Sequence, residues 1–96
     1  MDAVMSIHVP KPEYRDALID FMHRFGAAME GQPGLVGVHR LAEQDGTRLI
    51  GLAMFDSREA AIAIMPRARA AVEGDDFDLW EQQAPEGFRL VAIPFS

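Results

Sequence analysis

Proton transfer at neutral pH falls first to histidine, and this chain has three: His8, His23 and His39. His8 lies in Ala3 to Val9, where Ser6 and His8 alternate with Met5, Ile7 and Val9. That alternation predicts a strand with one apolar and one mixed face, so His8 can accept a proton or hold a substrate oxygen. A histidine at a strand end also commonly does no more than hydrogen-bond a backbone carbonyl. His39 and Arg40 are adjacent in a second strand-like run and must point to opposite faces, so one can reach a pocket while the other lies at the dimer surface, although solvent exposure or an ion pair is the commoner fate of either. His23 falls nearly opposite the apolar stripe of a helix and reads as solvated.

Aromatic residues supply the other half of a candidate site. Phe55, Phe77 and Trp80 can wall an apolar cavity, with Tyr14 adding a hydroxyl and the polar bend at Gly74 to Asp76 forming a movable edge. Each has an ordinary place in a core as well. The chain has no cysteine, which removes thiol nucleophiles, thiolate metal sites and disulfides. The three histidines lack an acidic partner at ligand spacing, so no metal is expected. There is no Ser-His-Asp order in the sequence, and Gly34-x-x-Gly37 enters a strand rather than a phosphate-binding helix start.

The elements that must hold these residues follow from periodicity. Tyr14, Leu18, Phe21, Met22, Phe25 and Met29 recur at steps of three and four, predicting a helix over Glu13 to Met29 that starts after Pro12 and ends near Gly31. Leu35 to Leu41 and Thr47 to Phe55 are apolar runs around Ala42-Glu43-Gln44-Asp45-Gly46, whose Asp-Gly predicts a hairpin. Asp56-Ser57-Arg58-Glu59 reads as a capping box with Asp56 as the cap, opening a second helix in which Pro66 predicts a kink or break. Phe77 to Gln83 reads as a short amphipathic turn or helix, and Phe88 to Phe95 as a last strand.

The order β, α, β, β, α, β predicts an α+β fold of the ferredoxin-like kind, an antiparallel four-stranded sheet with two helices on one face. All 96 residues fit one domain. A chain this short cannot cover the other face of so apolar a sheet, which predicts a homodimer formed through the open sheet face. The net charge of −6 repels phosphate backbones and disfavours nucleic acid. No run is long and apolar enough for a membrane span, and the start carries Asp2 where a signal peptide carries a cation, so a soluble, unprocessed protein is expected. The lack of cysteine fits the cytoplasm.

The Gln32-Pro33-Gly34-Leu35-Val36-Gly37 junction, the Met54-Phe55-Asp56-Ser57-Arg58-Glu59-Ala60 run and the alanine-rich helix after it resemble the antibiotic biosynthesis monooxygenase-like domains of the dimeric α+β barrel superfamily. The resemblance covers nearly the whole chain. It implies a dimeric α+β barrel and a monooxygenase that needs no cofactor, acting on a small aromatic or quinol-like substrate in an apolar pocket. A dimeric ligand-binding or regulatory module without catalysis is the alternative. Two departures stand out: Phe55 where the family usually has Trp, and no histidine near Ile64, Met65 and Pro66, where haem-degrading members carry their iron ligand. Haem degradation is thereby disfavoured.

Overall fold

A computed structural model describes residues 1–95. Strand β1 is Asp2–His8, and a single 3-10 turn at Pro12–Tyr14 leads into helix α1, Arg15–Ala27. Strands β2, Leu35–Ala42, and β3, Leu49–Phe55, form the hairpin. Helix α2, Arg58–Ala71, a single turn α3, Phe77–Trp80, and strand β4, Glu86–Val91, complete the chain. All pairings are antiparallel, and the sheet order is β2-β3-β1-β4. This is the ferredoxin-like arrangement that the element order implied.

Register decides which residues share a face, since directly opposed residues project to the same side. Phe55, Ala53, Gly51 and Leu49 of β3 lie in line with Asp2, Val4, Ser6 and His8 of β1. This is the face the helices cover. Phe55, Ala53 and Met29 pack with Ala61, Ile64 and Met65 of α2 in one cluster. Leu18, Phe21, Met22, Leu49 and Val72 form a second. Burying Phe21, only 7% exposed, stabilises the fold by roughly 2 to 3 kcal/mol.

The opposite face carries Met5, Ile7, Ile50, Leu52 and Met54, flanked by the exposed Leu41, Phe88 and Leu90. Neither helix covers it.

Several boundaries differ from the sequence reading, each for a physical reason. Asp56 is not the cap of α2. Ser57 is, its Oγ accepting from the Ala60 amide at 3.1 Å, while the Asp56 amide donates to the Gly34 carbonyl at 2.8 Å. Gly34 itself has φ +94°, and a β-carbon there would sit 2.6 Å from that of Ala60, so the β2 entry is held against the start of α2 by a glycine.

Pro66 does not break α2, which runs on to Ala71. The carbonyl of Ile62, deprived of its donor, lies at an exposed residue where water can serve. The last strand runs Glu86–Val91, earlier at both ends than Phe88 to Phe95; the Ala92 amide still donates to the Met1 carbonyl at 2.9 Å, and Pro94 beyond it has no amide to give a ladder.

Candidate functional site

Across the middle of the covered face the register sets Gly87, Ser6, Gly51 and Arg40 in one row, one residue from each strand. Two glycines and a serine leave that row without bulk. The helices bridge over it rather than filling it. Phe21, Met22 and Phe25 of α1, Met29 in the turn after it, Met65 of α2, and Val4, Val38 and Ala53 of the sheet wall a largely apolar cavity of about 260 Å³. A cavity of about 150 Å³ accepts benzene, so this one has room for a substituted ring.

One polar chain opens into it. Ser6 Oγ lies 2.9 Å from His8 Nε2, and His8 Nδ1 lies 3.0 Å from Glu81 Oε1. His8 and Glu81 are each 6% exposed. Ser6 and His8 meet because residues two apart on a strand share a face. Glu81 arrives from the far end of the chain. The segment after α3 pairs with the end of β1: the Lys11 amide donates to the Trp80 carbonyl at 2.8 Å, the Gln82 amide to the Val9 carbonyl at 2.8 Å, and Gln82 Nε2 to the Pro10 carbonyl at 3.0 Å. The ring of Phe21 stands edge-on to the imidazole at 6.1 Å and 74°.

The electrostatics of this chain follow from burial. Desolvation pushes the Glu81 carboxyl above its ordinary value, with the charge and hydrogen bond of His8 acting in the opposite sense. Glu81 Oε2 is buried with no hydrogen-bond partner among the described residues. When ionised, the carboxylate only accepts, so it holds the imidazole proton on Nδ1 and leaves Nε2 to accept from the Ser6 hydroxyl. The histidine therefore does not face the cavity bare. Its reach into the cavity is the Ser6 oxygen.

The residues singled out in the sequence divide accordingly. His8 lies at the cavity, bonded to Glu81 rather than to a backbone carbonyl. His39 borders the cavity, but it stands opposite Leu52, and its ring lies beside the position a Gly37 β-carbon would take, which places it on the open face. Arg40, on the covered side, lines the cavity in its place.

Phe55 does not line the cavity, being fully buried against α2. Phe77 and Trp80 also stand outside it. Phe77 packs edge-on against Phe21 at 4.4 Å and Trp80 against Phe77 at 6.0 Å, so they brace the wall from behind. Tyr14 sits half-buried in the 3-10 turn, away from the lining. The bend at Gly74 to Asp76 is no cavity edge, for Arg24 grips Asp75 through two hydrogen bonds of 2.6 and 3.3 Å.

Ser6, Glu81, Arg40 and the glycines were not assembled from the sequence. The two-residue spacing of Ser6 and His8 was a legible signal. A carboxylate in the amphipathic Phe77-Asp78-Leu79-Trp80-Glu81 stretch was a weaker one. Among the described residues no group of three or more His, Cys, Asp or Glu side chains converges as metal ligands would.

The fold is that of several solved structures named as antibiotic biosynthesis monooxygenases, which share its architecture over nearly the whole chain. A protein from Nitrosomonas europaea carrying the name superposes with a TM-score of 0.76 over 98% of this chain and 100% of its own, at 16% identity. One from Chloroflexus aurantiacus gives 0.70 over 99% and 95%, at 18% identity. A Mycobacterium tuberculosis protein gives 0.82 over 97% and 95%, at 17% identity. Identities this low speak for the fold and leave the reaction to be argued from the site. No family model matches the sequence, and no curated protein does.

Proposed function

We propose that this chain is a cofactor-independent monooxygenase of small, quinol-like aromatic substrates. The observation that carries the reading is a single hydrogen-bonded chain, Ser6, His8 and Glu81, opening into an otherwise apolar cavity of about 260 Å³. A quinol hydroxyl seated against Ser6 passes its proton through the serine oxygen to His8 Nε2, and Glu81 stabilises the imidazolium that forms. The electron-rich quinolate, against the apolar wall of Phe21, Phe25 and Met29, then reacts with dioxygen directly. A hydroquinone and O2 give a hydroxyquinone and water, with the quinol supplying the electrons.

Two copies joined through the apolar open face complete the proposal. Exposed Leu41, Phe88 and Leu90 around half-buried Met5, Leu52 and Met54 make a face whose simplest cover is its own copy. The cysteine-free composition supports a cytoplasmic setting. No helix among the described residues is long and apolar enough to cross a membrane.

Oxygen uptake with a panel of hydroquinones tests the reaction. Wild type is expected to consume one O2 per quinol, and His8→Ala to lose roughly 10²-fold or more of that rate. Equal rates in the two proteins would remove His8 from the mechanism. Saturable binding without oxygen uptake would leave a ligand-binding module.

A further inference from the structure

We propose that Ser6 is also a nucleophile and that the cavity hydrolyses small aryl esters, an activity that does not depend on the oxygenase reading. A serine hydroxyl becomes reactive when a base accepts its proton and a third group orients that base. Ser6 Oγ is 2.9 Å from His8 Nε2, and the other imidazole nitrogen is 3.0 Å from Glu81. Such a constellation is recognised by its geometry and not by order along the chain. The carboxylate is buried, the ring is locked by Phe21 edge-on, and the serine lies on the floor of a cavity that admits an aromatic ring.

Ester hydrolysis also needs a group for the oxygen that gains charge, and the same row of the sheet offers one. Arg40 lies two strands from Ser6, about 10 Å between α-carbons, and the residue between them is Gly51. No side chain rises from Gly51 to block the space over the floor. Arg40 lines the cavity and takes part in none of the ion pairs of the described residues; Glu30 borders the neighbouring groove without bonding to it. Glu86 also borders the cavity, but it stands opposite Ile7 on the open-face register and has Arg48 for a charge neighbour.

The steps balance without an oxidant or cofactor. Ser6 Oγ bonds to the carbonyl carbon, its proton passes to His8 Nε2, and the carbonyl oxygen takes the electron pair beside Arg40. Collapse breaks the bond to the aryl oxygen, which leaves with the proton from Nε2. Water then attacks the acyl-serine, giving up its proton to Nε2, which returns one to Ser6 Oγ. The products are a carboxylic acid and a phenol.

The test treats the protein with p-nitrophenyl acetate and, separately, with a fluorophosphonate, then maps adducts by mass spectrometry. The expected result is a burst of about one nitrophenolate per chain and a single adduct on Ser6, both absent in Ser6→Ala. An adduct on another residue, no adduct on Ser6, or a burst that survives Ser6→Ala would overturn the assignment. Circular dichroism and a thermal midpoint of Ser6→Ala near wild type show that the loss is chemical, and adduct mapping on wild type requires no variant at all.

Discussion

Burial of an ionised carboxylate is costly unless both oxygens find partners, and Glu81 has one oxygen on His8 and, among the described residues, no partner for the other. Its pKa is raised by desolvation, against the opposing pull of His8 on β1; Asp78 on α3 adds to the rise, and the Val9 amide opposes it. A carboxyl whose folded pKa lies above its unfolded one holds its proton more tightly in the native state. The stability it contributes is complete below the unfolded pKa and is lost as the pH rises through the folded one. Thermal midpoints of wild type and Glu81→Gln, measured from pH 4 to 8, should show it. Wild type is expected to lose stability relative to the variant as pH rises, and a constant difference would refute the burial argument. Ser6 and His8 were legible as neighbours on one strand face. Glu81 was not, because 73 residues separate it from His8 and only the pairing of residues 80–82 with the end of β1 brings it there.

At the scale of elements, periodicity and turn chemistry carried most of the reading, and the misses fall at ends and at the proline. The cap of α2 falls on Ser57, one residue after Asp56, whose amide instead donates to the carbonyl of Gly34 in the loop between α1 and β2, a contact no local pattern contains. Ser57→Ala should cost about 1 kcal/mol, lowering the thermal midpoint by roughly 4–8 °C. Gly34→Ala, strained in backbone and pressed on Ala60, should cost about 1–3 kcal/mol by denaturant unfolding. The cavity floor is also a property of elements. It arises where Gly87, Ser6 and Gly51 from three strands fall in register, and no stretch of the sequence shows them together. A β-carbon on Gly51 would stand 2.9 Å from Ser6 Oγ and 3.7 Å from Met22 Cε. Gly51→Val is therefore expected to fill the floor and abolish ring binding.

For the whole molecule, the βαββαβ order and the uneven cover of the sheet were both readable from the chain, since they depend on pattern and length alone. The assembly argument belongs here too. Sedimentation at micromolar concentration is expected to show a species of twice 10.6 kDa, and Leu52→Glu, a charge in the middle of the open face, is expected to shift it to the monomer mass. A wild-type monomer would remove the homodimer. The placement of an aromatic substrate on the covered face, against Ser6 and His8, is the claim everything else serves. Titration with hydroquinone, followed through the ring carbon signals of the histidines by NMR, addresses it directly. His8 should shift saturably in wild type and stay still in Gly51→Val. Saturable movement of His39 alone, or a His8 shift that persists in Gly51→Val, would put the ring somewhere else.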